Sequence, residues 1–227
     1  MDEEAQATAA RLVRRLKGGY TVTIAESCTG GLLASTLTDI AGASAWFNQS
    51  WVTYSYEAKI QELNVSRELL EKKGAVSAEV AIQMAQGALA RADADIAISI
   101  TGIAGPGNDG STKKVGYVYV GIASRTWAIA EATQIGGNRQ ENKEGFVHFA
   151  LLTAIRHWDQ AMEYWKNLKT DSNAKFDKEI NLKANEILPM ITWGTSPQDV
   201  ITIDEKVPNP QNEKDEDKKN SLERALN

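Results

Sequence analysis

A nearly continuous apolar run within Asp95 to Ile100 (Ile96, Ala97, Ile98, Ile100) limits the fold more than any other stretch of the chain. Such a strand presents apolar side chains on both sides, so its sheet must be covered on both faces. Segments with apolar residues at helical spacing supply the covers. Residues 3–17 carry Ala5, Ala9, Leu12, Val13 and Leu16 on one face and stop at Gly18-Gly19. A second helix is predicted from Thr29 to about Ile40, and a third from a Ser77 cap to about Ala92. A last one runs from about Gln140 to His157, burying Phe146, Phe149, Ala150, Leu152 and Ile155. Between them Tyr20 to Ala25, Trp46 to Ser55, Val115 to Ala123 and Trp127 to Ile135 read as strands. Helices alternate with strands until a closing strand pair, which predicts an α/β fold with a mixed sheet and helices on both faces.

At 227 residues the chain holds one ordinary domain plus an appendage. No apolar run approaches the ~18 residues of a membrane span. The N-terminus, Met1-Asp2-Glu3-Glu4, is acidic where a signal peptide is basic. One cysteine, Cys28, excludes an internal disulfide and clustered-cysteine metal sites, and His148 and His157 are too few for a histidine metal site. The expectation is a cytoplasmic protein without metal or cofactor. A net charge of −5 argues against broad nucleic-acid binding, which requires a basic surface. From His157 onward 10 Lys/Arg stand against 14 Asp/Glu, so most of the negative balance lies in the last third. Residues 205–220 are charged, proline-containing and almost free of apolar side chains, which predicts a mobile, solvated segment.

Four polar segments follow strands, so they can share one rim. The first, Ala25-Glu26-Ser27-Cys28-Thr29-Gly30-Gly31, joins a strand to a helix. Ser27 there is either a helix cap or a nucleophile whose oxyanion the unpaired N–H groups of a helix start would hold. In the second, Val52 to Lys59, Tyr54 and Lys59 stand where a strand meets its loop. Lys59 is either an ordinary surface lysine or a desolvated amine able to act as a base for serine. The third, Ser99 to Gly107, has glycines that form either a plain turn or an anion-binding nest, with Asn108 to Lys114 as a flexible polar rim. The fourth is Gly136-Gly137-Asn138-Arg139. Arginine at a helix start opposes the helix dipole, so Arg139 faces either solvent or an anion.

In this order the segments resemble the C-terminal domain of the CinA family, the nicotinamide-nucleotide amidohydrolases, over residues 3–157. The resemblance rests on Ala25 to Gly31, Thr38 to Phe47, Val52 to Lys59, Gly74 to Ser77 and Thr101 to Pro106. It implies a three-layer α/β/α sandwich. It also implies metal-independent deamidation of nicotinamide mononucleotide to nicotinate mononucleotide and ammonia. By motif, Ser27 would be the nucleophile, Lys59 its base and Tyr54 a partner in the proton relay. Thr29, Gly30, Thr101, Gly102 and Gly105 would lie against the nucleotide, and Arg139 would meet its phosphate. Cys28 is the rival nucleophile, expected instead to point into the core. The sequence departs from the pattern at Tyr56, where asparagine is usual, at a shortened loop with Lys114 in place of proline, and at Lys143, where a second arginine is common.

From about Trp158 to Asn227, notably Tyr164 to Asp171 and Ile191 to Pro197, the chain resembles an internal piece of the large subunit of 3-isopropylmalate dehydratase. It lacks that enzyme's cluster-binding cysteines. It is therefore expected to be a fused, non-catalytic, loosely structured and partly disordered extension. The whole is expected to be an amidohydrolase taking a small nucleotide, without nucleic-acid or membrane partners; a homodimer is one assembly open to it, and the sequence does not set the oligomeric state. The alternative is a pyridine-nucleotide binding module with weak turnover.

Overall fold

The computed structural model describes residues 3–107, 110, 112–166, 174–175, 178, 180, 183, 185, 188–192 and 200–226. They form two compact units, Met1–Leu168 and Lys169–Asn227.

The first unit runs α1 (Glu3–Leu16), β1 (Val22–Glu26), α2 (Leu32–Thr38), β2 (Phe47–Val52), α3 (Tyr56–Leu63), α4 (Arg67–Lys73), α5 (Ala78–Ala92), β3 (Ile96–Gly102), β4 (Tyr117–Ser124), β5 (Ala128–Gln134) and α6 (Arg139–Lys166). The sheet order is β2-β1-β3-β4-β5. β1 is parallel to both β2 and β3, whereas β3–β4 and β4–β5 pair antiparallel. Two reversals return β5 to the direction of β3. The C-terminal ends of β1, β2, β3 and β5 therefore meet at one end of the sheet, and all four polar segments emerge there.

The apolar run does cover both faces. Ile98 and Ile100 of β3 join Leu12 and Val13 of α1, Leu33 and Leu37 of α2 and Phe146 and Leu151 of α6 in one core. On the opposite face Ala97 and Ala123 meet Met84, Ala85 and Ala88 of α5 and Leu63 and Leu70 from α3 and α4. Small residues on the α5 side let that helix approach closely, and the Ser99 hydroxyl donates to the Ala81 carbonyl at 2.6 Å. Each fully buried Leu, Ile or Phe contributes about 1.5–3 kcal/mol. The result is the mixed-sheet α/β/α sandwich that the sequence implied.

Several boundaries differ from expectation. The second helix starts at Leu32, not Thr29, because Gly30 and Gly31 adopt φ of +66° and +95°, left-handed backbone that interrupts a helix. α4 was not anticipated; seven residues are too short to show periodicity, although Ser66 caps it through the Leu69 N–H. Ser77 caps α5 as expected, accepting from the Val80 N–H. α6 continues nine residues past His157, where no helix breaker intervenes. This continuation is held to the unit's own body. The Arg15 guanidinium forks onto Asp159 at 2.8 and 2.7 Å, and Tyr20 meets Trp158 edge-on with centroids 4.9 Å apart.

In the second unit β6 (Met190–Thr192) pairs antiparallel with β7 (Val200–Thr202), and α7 spans Glu216–Leu226. None of its described residues is buried. The segment 205–220, expected to be mobile and solvated, is mostly exposed and holds a 3-10 turn at Pro210–Asn212 and the start of α7. Local bonds account for it. Asn209 caps the turn, and the Asp215 carboxylate accepts from the Asp217 and Lys218 amides at the head of α7. Much of the dehydratase-like motifs, 167–171 and 193–197, lies outside the described residues, as do 108, 109 and 111 of the polar rim. Among the described residues no helix is long and apolar enough to cross a membrane.

Candidate active site

The chain leaves β1 through Glu26 and turns at Ser27, whose N–H donates to the Ile100 carbonyl of β3 at 3.0 Å. One strand over, β2 ends at Val52, and Ser55 caps α3 by accepting from the Ala58 N–H at 3.1 Å. That cap sets the first turn of α3 so that Lys59 points back under the sheet end. Lys59 is fully buried. Its Nζ lies 3.0 Å from Ser27 Oγ and donates to the Thr53 carbonyl at 2.7 Å and, more weakly, to the Tyr54 carbonyl at 3.4 Å. Burial pulls the amine down to about 8 from its ordinary 10.5. A neutral amine has two N–H bonds and one lone pair. With the two carbonyls taking the N–H groups, the lone pair faces the Ser27 hydroxyl, the geometry of a serine–lysine pair.

Cys28 is the opposite case. Its thiol is buried, and desolvation pushes it up to about 12, so it stays protonated and unreactive near neutrality.

Neither Ser27 nor Thr29 caps α2. The cap is a residue the sequence reading passed over: Glu26, fully buried, accepts from the amides of Gly31 and Leu33 at 3.1 Å each and Ala34 at 2.9 Å. The acceptor precedes its donors by five to eight residues, outside any local capping pattern, so spacing could not reveal it. The helix-start amides expected to hold an oxyanion are therefore largely occupied. Gly30 closes the turn by donating to the Ser27 carbonyl at 3.1 Å, and Thr29 Oγ1 is buried without a partner.

A cavity of about 320 Å³ opens beside Ser27. Ser27 and Cys28 line it together with Tyr54, Tyr56, Ala75, Val76, Thr101 to Gly105 and Arg139. Thr101 is committed to the wall, donating its hydroxyl to the Ala75 carbonyl at 2.8 Å. Tyr56 takes the other end of the same residue, its phenol accepting the Ala75 N–H at 3.2 Å. Gly102 and Gly105 line the cavity with backbone.

Arg139 is freed for this cavity by a capping box. Asn138 Oδ1 accepts from the Gln140 and Glu141 amides, and the Glu141 carboxylate accepts the Asn138 N–H. The guanidinium donates to the Gly105 carbonyl and, at 3.1 Å, to the Tyr54 phenol. Tyr54 is thus largely exposed and engaged with Arg139; the contact it makes with Lys59 is through its backbone carbonyl, not its phenol. Lys143, one turn further along α6, brings its ammonium near Gly30. Behind the wall the buried Asn142 amide donates to the Ala104 and Gly137 carbonyls and ties two of the loops together. Among the described residues no three His, Cys, Asp or Glu side chains cluster to hold a metal.

Comparison with known proteins places the chain among relatives of similar sequence and fold. A nicotinamide-nucleotide amidohydrolase of Enterobacter agglomerans is 47% identical over 141 residues, 62% of this chain and 86% of that protein. A CinA-like protein of Chlorobium limicola is 48% identical over 143 residues, 61% of this chain. The chain spans only about a third of the length of that relative and of several others. The crystal structure of a competence-damaged protein (CinA) superfamily protein from Klebsiella pneumoniae superposes with a TM-score of 0.67 at 32% identity, covering 69% of this chain and 98% of that one. Residues 147–227 match a second model, the Aconitase family (aconitate hydratase), which overlaps the later turns of α6. Residues 5–157, carrying every element of the cavity, match the CinA C-terminal domain: the chain belongs to that family.

Proposed function

We propose that the chain hydrolyses nicotinamide mononucleotide to nicotinate mononucleotide and ammonia, with Ser27 as nucleophile and Lys59 as its base. The observation that carries the reading is the buried Lys59 amine 3.0 Å from Ser27 Oγ, held near neutrality by desolvation. Ser27 Oγ attacks the carboxamide carbon while its proton passes to the Lys59 lone pair. The carbonyl electrons move onto oxygen, and their return expels the amine, which takes the proton from Lys59 and leaves as ammonia. Water, deprotonated by the same lysine, then cleaves the acyl-serine. Arg139 supplies positive charge on the cavity wall for the nucleotide phosphate. Tyr54 acts by orienting Arg139 and by offering its carbonyl to Lys59, a different part from the proton relay expected of its phenol. Thr101 holds the wall, and Gly102 and Gly105 offer backbone to the ligand. Support for the substrate comes from the amidohydrolase relative of Enterobacter agglomerans.

The test is ammonia release from nicotinamide mononucleotide by the purified chain. Ser27→Ala and Lys59→Ala should each lower kcat by roughly 1,000-fold or more. Undiminished release from either variant refutes the assigned roles. Saturable binding of the nucleotide with no ammonia would favour a binding module instead.

A further inference from the structure

We propose that Glu26 is a positioning residue that excludes the oxyanion from the start of α2 and assigns it to the amides of Cys28 and Thr29. This rests on Ser27 being the nucleophile. Two sets of N–H donors lie next to that serine. The first set, at the helix start, is filled: both oxygens of a fully buried carboxylate accept from Gly31, Leu33 and Ala34. An oxyanion placed there would compete for the same donors and meet a like charge where water cannot screen it. The second set is open. The Ser27 amide is spent on Ile100 and the Gly30 amide on the Ser27 carbonyl, whereas the Cys28 amide between them meets only its own thiol sulfur, a weak acceptor, and the Thr29 amide has no acceptor among the described residues. Buried backbone donors are rarely left unpaired, and a pair immediately after a nucleophile is suited to an anion that exists only during reaction. Of the two residues, Cys28 borders the cavity.

Glu26 also fixes the loop between the two sets. By gripping Gly31 it anchors the left-handed Gly30-Gly31 turn, which in turn orients the peptides of Cys28 and Thr29. Glu26 touches no reacting atom in this scheme. It acts through the turn.

A fluorophosphonate tests this on the intact protein. Ser27 Oγ forms a bond to phosphorus, the P–F bond breaks, fluoride departs and the serine proton passes through Lys59 to solvent; the phosphonyl oxygen then occupies the oxyanion position. In amide-resolved NMR of the wild-type adduct, the Cys28 and Thr29 protons should move downfield while those of Gly31, Leu33 and Ala34 stay in place. Movement of the α2 set instead overturns the proposal. Glu26→Gln, which keeps the shape but places an NH2 group against amide donors, should slow the labelling roughly 10- to 100-fold. It should also lower kcat for nicotinamide mononucleotide with KM unchanged; a raised KM with unchanged kcat and labelling would overturn the positioning role. The wild-type spectrum decides the matter even where that variant fails to fold. An adduct on a protein that releases no ammonia sinks the proposed reaction and leaves this inference standing. No adduct on Ser27 sinks both.

Discussion

At Lys59 burial strips water from an ammonium group and returns only two carbonyl oxygens and one hydroxyl. Lowering an amine from 10.5 to about 8 corresponds to about 3 kcal/mol of penalty on its charged form. Two opposite effects follow. Catalysis needs the neutral amine, so kcat/KM should rise roughly tenfold per pH unit up to about 8 and then level off. A flat profile from pH 6 to 9 would contradict Lys59 as the base. Stability should move the other way on substitution. Below pH 8 the lysine is protonated in both folded and unfolded chains, and the folded one bears the full desolvation cost. Between about 8 and 10.5 the unfolded chain binds the extra proton, so wild-type stability rises with pH in that window. Lys59→Met should therefore abolish activity yet stabilise the protein at pH 7 by roughly 1–3 kcal/mol, with the gain shrinking above pH 8. Urea unfolding at pH 7 and pH 10 checks it. The residue types of this site were legible in the sequence, because a serine, a lysine and an arginine each stood in a loop after a strand. Their states were not. Burial of Lys59, the high thiol pKa of Cys28 and the capping by Glu26 all depend on elements distant in the chain, and spacing does not encode them.

Elements set the distance between Ser27 and Lys59, since one sits after β1 and the other on α3. α3 is positioned by α5, and the closest approach is at Gly87, where an added Cβ would lie 1.9 Å from the Leu63 carbonyl oxygen. No side-chain rotation relieves contact with backbone, so Gly87→Ala must push α3 away. Overpacking of this kind costs roughly 1–3 kcal/mol, which lowers Tm by roughly 2–10 °C in a domain of this size. Because α3 carries Lys59, a shift near 1 Å should also cost roughly 100-fold in kcat. A variant with lowered Tm and wild-type kcat would show that α3 does not set the catalytic distance. In sequence Gly87 was simply a glycine inside a helical pattern; its reason lies in a helix 24 residues earlier. Periodicity revealed α1, α5 and the start of α6 well because each buries a long apolar stripe. It was silent on α4, whose seven residues complete barely two turns.

On the scale of the whole molecule, the two units differ in what stabilises them. The first has two apolar cores around a sheet, whereas in the second no described residue is buried and Met190, Ile191, Ile203 and Val207 are all exposed. Alternation of helix and strand made the first legible in outline, and the match to the CinA C-terminal domain ends at residue 157. The compact unit ends later, at Leu168, because the turns of α6 beyond His157 are fastened by Asp159 to Arg15 and by Trp158 to Tyr20. We therefore expect the functional boundary to follow packing, not family resemblance. Local caps and a three-residue strand pair give the second unit little resistance to opening, and protease susceptibility tracks such opening. Brief trypsin treatment should leave a fragment ending at Lys166 or Lys169, with kcat/KM unchanged because every cavity residue is retained. Trimming to residue 157 should instead lower Tm, since it removes both fastenings while leaving Ser27, Lys59 and Arg139 in place. A trypsin-resistant second unit, or a chain cut at 157 as stable as one cut at 168, would show that family resemblance and not packing marks the boundary.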